Sequence, residues 1–118
     1  MTEESRLPGQ TTVAPEVLID IIRLATLSVE GVSRLSDTAG EINRLFSKSV
    51  GEGVFIVLEK DVVNTTIYLV VKEGYEVLQV AHAVQAAVGR AITEMVGMRA
   101  GNIDIHIEDI DCAFPTVQ

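Results

Sequence analysis

Residues 54–72 read VFIVLEKDVVNTTIYLVVK, and this stretch decides the fold. β-branched and aromatic residues dominate both of its halves, and such residues favour strands over helices. Lys60 and Asp61 interrupt the apolar pattern, which predicts a tight turn between strands over 54–59 and 62–72. The stretch is therefore predicted to form a β-hairpin.

Two segments with helical periodicity flank the hairpin. Pro15 suits the first turn of a helix over residues 14–30. Val17, Ile21 and Leu24 share one face of this helix, and the adjacent apolar residues Leu18, Ile22 and Ala25 widen it. A short strand is predicted over 32–35. After the hairpin, residues 75–96 carry apolar residues at alternating intervals of three and four positions: Val77, Ala81, Val84, Val88, Ala91 and Met95. These patterns predict two amphipathic helices.

The last predicted strand covers residues 102–110, where isoleucines alternate with Asp104, His106 and Glu108. A period of two gives a strand with one buried and one polar face. The order is thus α-β-β-β-α-β, which indicates an α+β domain with two helices packed on one face of a small, mostly antiparallel sheet. Residues 36–40 are predicted to form a turn, and residues 41–46 either one or two helical turns or a loop.

The 118 residues provide for one domain. We expect a flexible N-terminal tail over residues 1–12, the α+β domain over 13–111 and a C-terminal tail over 112–118. The start of the sequence is polar and lacks the apolar stretch of a signal peptide. No apolar run approaches the length of a membrane-spanning helix. These features predict a soluble, cytoplasmic protein.

The net charge of the chain limits the classes of partner that we expect it to bind. The formal net charge is −8 and the isoelectric point is about 4.6. Such a chain repels phosphate backbones and anionic lipid headgroups, so we expect neither direct nucleic-acid binding nor direct membrane insertion. The single cysteine, Cys112, excludes an internal disulfide and a cysteine-based zinc cluster.

One group of polar residues on the last strand is a candidate metal-binding or catalytic site. Asp104, His106 and Glu108 project from the same side of the last strand, so the imidazole could bind a divalent metal with the carboxylates or act as a general base. The alternative is a solvated strand face. Neither a nucleophile–histidine signature nor a phosphate-binding loop is present. We therefore predict no catalytic residues, no metal site, no cofactor and no enzymatic activity.

Both faces of the predicted hairpin are apolar, which indicates an interaction surface rather than a catalytic site. Two helices can cover one face of the sheet, which leaves the side chains of the other hairpin face without a helix: Phe55, Val57, Tyr68 and Val70. Either the segment over residues 41–50 folds over these side chains, or they form an exposed patch; we predict a patch that is exposed in the monomer and buried in an assembly. A second candidate, with an ordinary helix surface as its alternative, is a strip of small residues on the second helix: Ala83, Ala86, Gly89 and Arg90.

The chain also resembles a known family, the alkaline shock and general stress proteins of Gram-positive bacteria, which act in the envelope stress response. The resemblance covers about residues 12–110 and rests on the order and spacing of apolar motifs with glycines: Val13–Leu18, Val29–Val32, Gly53–Val54, Glu73–Tyr75, Val80–Val88, Met95–Met98 and Asn102–Ile107.

This resemblance implies a non-enzymatic, self-associating protein that reaches the membrane through a small integral-membrane partner. It also implies an alternative, namely regulation of a metabolic enzyme, since some relatives look linked to fatty-acid synthesis. A small RNA-binding domain is a further alternative, because the glycines at 97 and 101 invite comparison with the Gly-x-x-Gly clamp of KH domains. The spacing is one residue too long for that clamp, and Arg99 is the only cation in the loop.

Overall fold

The computed structural model describes residues 12–36, 50–51 and 53–112. Their elements follow in the order α1 (Pro15–Leu27), β1 (Val32–Leu35), β2 (Val50–Gly51), β3 (Val54–Glu59), β4 (Val62–Lys72), α2 (Val77–Arg90), a π-helical segment (Ala91–Val96) and β5 (Arg99–Asp111). The predicted α+β class and its element order are confirmed, with β2 as an additional two-residue strand. Most of both expected tails, and most of the predicted turn and helical turns after residue 36, lie outside the described residues.

β4 is the central strand of the sheet. Along one edge it pairs antiparallel with β3 through its first half and with β1 through its second half. Along the other edge it pairs with β5 in parallel, as expected when a helix carries the chain from one strand to the next. β2 also pairs antiparallel with β3, so three of the four strand pairings among the described residues are antiparallel.

β1 and β3 meet end to end against the middle of β4. The Tyr68 N–H donates to the Gly53 carbonyl over 2.8 Å, and the Tyr68 carbonyl accepts from the Ser36 N–H over 2.8 Å. Gly53 fits this junction because its φ of +76° lies in the left-handed region. A Cβ on Gly53 would also lie only 2.7 Å from the Ser36 carbonyl oxygen.

Both helices pack on the same face of the sheet and form the core with it. The strands contribute the alternate residues that face the helices, and the helices contribute one buried stripe each; the buried cluster comprises Leu18, Ile19, Ile22, Val32, Val54, Ile56, Val63, Ile67, Leu69, Val71, Val80, Val84, Val88 and Ile92. The opposite face, which we call the open face, carries no described helix.

Candidate functional site

The open face carries a row of three aromatic rings that crosses three strands. Phe55 on β3 meets Tyr68 on β4 edge-to-face, with ring centroids 5.6 Å apart. Tyr68 in turn stacks on His106 of β5, with centroids 4.7 Å apart and ring planes inclined by 16°. Both arrangements are favourable aromatic geometries. The row places three rings in mutual contact at the middle of the open face.

The four residues of the predicted interaction patch differ in exposure. Val57 is 56% exposed, whereas Phe55 and Val70 are only 7% and 2% exposed. Tyr68 is half-buried. The expectation that all four are exposed in the monomer is therefore wrong for Phe55 and Val70. Val70 lies between Arg34 of β1 and Asp109 of β5 in the sheet register. Whether the patch is buried in an assembly stays a prediction.

The predicted polar set lies on the same open face. Asp104 is opposite Thr66, and His106 is opposite Tyr68, in the register between β4 and β5. Glu108 lies at a bulge, where the register shifts between Leu69 and Val70. Asp104, His106 and Glu108 are all exposed. The structure therefore merges two candidate sites into one surface, an apolar patch bordered by carboxylates and an imidazole.

The arrangement of these polar groups is that of a solvated strand face. Within residues 12–36, 50–51 and 53–112, no group of three or more His, Cys, Asp or Glu side chains could hold a metal ion. The second histidine, His82, is exposed on α2, which packs on the other face of the sheet. The imidazole of His106 thus has an aromatic ring as its close neighbour rather than a set of ligands.

A separate concavity lies at the end of β4. Its volume is about 280 Å³, and its lining brings together charged, hydroxyl and thiol groups: Ser33, Lys72, Glu73, Tyr75, Asp111 and Cys112. The Ser33 hydroxyl donates to a carboxylate oxygen of Asp111 over 2.5 Å. This bond joins β1 to the end of β5. The described lining contains no histidine.

Tyr75 borders this concavity and closes the turn before α2. Its hydroxyl donates to a carboxylate oxygen of Glu30 over 3.2 Å. The hydrogen bond to Glu30 and the negative charge of that carboxylate raise the pKa of Tyr75 above its ordinary value. This hydrogen bond links the end of the segment after α1 to the turn before α2.

The strip of small residues on α2 lies at the surface. Ala83, Ala86 and Arg90 are exposed, and Gly89 is half-buried beside Ile103 of β5. Larger apolar side chains are exposed elsewhere on the helices, among them Leu24, Leu78 and Met95. In the described part of the chain, none of the helices has the length and apolar character needed to span a membrane.

Comparison with known proteins shows which family the chain matches. The family model of the alkaline shock protein 23 family, described as having a cell envelope-related function, matches residues 3–112. The uncharacterized protein YqhY of Bacillus subtilis is 30% identical over 112 residues, which cover 93% of this chain and 83% of the relative. The uncharacterized protein YloU of the same organism is 22% identical over 113 residues, 91% of this chain and 92% of the relative. No solved structure matches the chain.

Proposed function

The chain belongs to the alkaline shock protein 23 family, whose function is cell envelope-related, and from this premise we propose that it is a non-enzymatic scaffold of the envelope stress response. In this proposal the protein associates with further copies of itself and docks on a small integral-membrane protein. The open face is the surface that receives the membrane partner. The protein itself stays on the cytoplasmic side and does not insert into the lipid.

The observation that carries the proposal is the composition of the open face. Val57 presents an exposed apolar side chain beside the aromatic row of Phe55, Tyr68 and His106. Aromatic residues in a well-packed, rigid surface are typical anchors of protein interfaces. Exposed Asp104 and Glu108 border the row and supply the polar rim that such interfaces carry.

Charge supports a membrane protein rather than the lipid as the docking partner. A net charge of −8 opposes approach to anionic headgroups. The cytoplasmic loops of membrane proteins are rich in Lys and Arg, which attract an acidic partner. A basic cytoplasmic segment with an apolar anchor is therefore the chemistry that fits the open face.

The arrangement of the polar groups supports a non-enzymatic role. Catalysis needs a nucleophile or base positioned against a third group in a site that excludes water. The imidazole of His106 instead stacks on a tyrosine ring at an exposed strand face. The alternative role, regulation of a metabolic enzyme, uses the same kind of surface and is separated from membrane docking by the experiment below.

We expect Val57→Asp to weaken association with membranes prepared from the native cell by about 30-fold. The substitution replaces an exposed apolar side chain beside the aromatic row with a carboxylate that loses its water on docking, and a loss of about 2 kcal/mol corresponds to this factor. Co-sedimentation of the purified protein with these membranes, over a range of protein concentrations, measures the effect.

Met95→Asp is the matched control, because Met95 is 70% exposed and belongs to the π-helical segment rather than to the open face. It should bind the membranes as the unmodified protein does. Protein-free vesicles of anionic lipid should bind none of the three proteins. Membrane docking is contradicted if the unmodified protein stays in the supernatant, or is recovered with a soluble enzyme instead. Equal binding of the Val57→Asp variant contradicts the assignment to the open face.

A further inference from the structure

β5 is the longest strand and lies at the edge of the sheet. It spans 13 residues and pairs with β4 along one side. Among the described residues, no strand pairs with its other side. An exposed strand edge is a template for a strand from another chain, and natural proteins usually blunt such edges.

Two hydrogen bonds establish which main-chain groups of β5 face outward. The Asn102 N–H donates to the Asn64 side-chain oxygen over 2.9 Å, so the main chain of Asn102 faces β4. The Gln85 side chain donates to the Ile103 carbonyl over 2.9 Å from α2, on the other side. Residues alternate along a strand, so the N–H and C=O groups of Ile103, Ile105 and Ile107 face outward.

At both ends of this outer edge, side chains form hydrogen bonds with main-chain groups. Gln85 occupies one lone pair of the Ile103 carbonyl. Past the bulge at Glu108, the main chain of the odd-numbered residues faces β4 and that of the even-numbered residues faces outward. The Asp111 carbonyl accordingly accepts from the Glu73 N–H at the end of β4. The outward Ile110 N–H is then satisfied by the side chain of Asp109 over 2.8 Å. The open part of the edge is thus residues 103–107, with Ile105 at its middle.

The side chains of the same segment are incompletely buried. Ile103, Ile105 and Ile107 point toward the helices and pack against the core, yet each remains partly exposed. Their register partners on β4, which has neighbours on both sides, include Ile67 and Leu69, both fully buried. A further strand beside β5 would remove this remaining apolar surface from water.

We propose that this edge pairs antiparallel with the same edge of a second copy, around a twofold axis at Ile105. Ile105 then lies opposite Ile105 of the partner subunit, and Ile103 lies opposite the partner's Ile107. The outward main-chain groups of these residues form the hydrogen-bonded pairs of the new ladder. The two sheets join into one, and the helices of both copies lie on the same side. The interface is isologous, as a twofold dimer requires.

The charges of the open face favour this register over the two registers whose axis lies at an adjacent residue. With the axis at Ile105, Asp104 lies opposite the partner's His106, and Glu108 lies near the partner's Asn102. An axis at Asp104 would place two aspartates opposite each other, and an axis at His106 would place Asp104 opposite the partner's Glu108. Like charges directly opposite one another destabilise a strand pair. The register at Ile105 avoids both repulsive pairs.

The inference rests on the self-association part of the proposed function and is independent of docking on a membrane partner. The proposed dimer contact and the membrane-docking surface are different, since the open face stays accessible when the outer edge of β5 is paired. A dimer of this kind presents two open faces in one continuous sheet, which suits simultaneous docking at two sites.

Cross-linking of mixed variants tests the register. In a Cys112→Ser background, Asp104→Cys and His106→Cys proteins are prepared separately, mixed, and oxidised with oxidised glutathione. The pair of residues 104 and 106 across the axis is not hydrogen-bonded, so its Cα atoms lie about 4.5 Å apart, within disulfide range. We expect the mixture to give at least about tenfold more covalent dimer than either variant alone. Equal yields in all three samples overturn the register.

Sedimentation velocity measures the same contact without a cross-link. His106→Asp and His106→Lys both remove the imidazole, but only the first places like charges opposite Asp104 of the partner subunit. We expect His106→Asp to dimerise about tenfold more weakly than His106→Lys, and Asp104→Lys with His106→Asp to restore dimerisation. A monomeric unmodified protein overturns self-association and this inference together. A dimer that is equally stable in all variants overturns the β5 assignment alone.

Discussion

Gly53→Ala should lower the free energy of unfolding by about 3 kcal/mol, a large part of the ~5–15 kcal/mol that stabilises an ordinary domain. Gly53 has a φ of +76°, and a side chain in this region costs about 1–2 kcal/mol by itself. The new Cβ would also lie 2.7 Å from the Ser36 carbonyl oxygen and 2.8 Å from that of Tyr68. Both are main-chain atoms at the junction of β1, β3 and β4, so neither can rotate away.

Gly97→Ala is the matched control for Gly53→Ala. Gly97 has a φ of +83°, close to that of Gly53, but a Cβ there would meet nothing within 4 Å. We expect this variant to lose only the conformational contribution, about 1 kcal/mol. Urea unfolding followed by circular dichroism measures both variants. Equal losses would mean that close packing at the strand junction contributes nothing.

Ile67→Ala should cost about 2–5 kcal/mol of stability, the range for truncating a large apolar side chain in a packed core. Ile67 is 0% exposed and lies at the centre of β4. In the sheet register it is flanked by Val54 on one side and Ile105 on the other. Because strands hold it on both sides and helices cover it, the cavity has little room to collapse.

Leu58→Ala is the corresponding control on the same side of the sheet. Leu58 pairs with Val63 near the hairpin turn and is 41% exposed. Its truncation removes less buried surface and leaves a site open to water, so we expect a loss of about 1 kcal/mol. The same urea titrations compare the two variants. A loss for Leu58→Ala as large as that for Ile67→Ala would place the core elsewhere than in the middle of β4.

The hairpin could be predicted closely from the sequence because its signals are local. The strands predicted over 54–59 and 62–72 are those observed, and Lys60 takes a positive φ of 57° in the two-residue turn between them. The short strand over 32–35 is also confirmed. In each case a run of β-branched or apolar residues ends at a turn signal, so no tertiary information is needed.

The helices could be predicted as elements, but their buried faces could not be predicted fully. α1 is apolar around most of its circumference, so its period does not specify which stripe packs on the sheet. Of the wide apolar stripe predicted for α1, Leu18 and Ile22 are buried, whereas Val17 and Leu24 are exposed. Thr26 is buried because its hydroxyl donates to the Ile22 carbonyl within the helix.

At the end of the second helix, the buried residues differ from those predicted because the helix type changes. Residues 91–96 form a π-helical segment, whose wider turn changes the angular spacing of side chains. Met95, predicted to continue the buried stripe, is exposed for this reason, while Ile92 is buried instead. The strand that follows begins at Arg99 rather than at residue 102.

The candidate site could be predicted in parts but not as a whole. Period-two alternation predicts that Asp104 and His106 share the polar face of their strand and that Tyr68 lies on the hairpin face without helices; in the structure all three lie on the open face. The contact between Tyr68 and His106 depends on the parallel register of β4 and β5, which includes two register shifts. Register between strands separated by a helix is a tertiary property, so the sequence pattern of either strand alone does not contain it.

The central proposal, docking of the open face on a membrane protein, is tested most directly by a photo-reactive amino acid at residue 57 in the native cell. Residue 57 is exposed on the open face, and residue 95, which is also exposed but lies on the helical side, is the control position. We predict that illumination joins residue 57, but not residue 95, to an integral-membrane protein identified by mass spectrometry. Adducts of residue 57 with a soluble enzyme, or adducts with the membrane protein from both positions alike, would contradict the proposal.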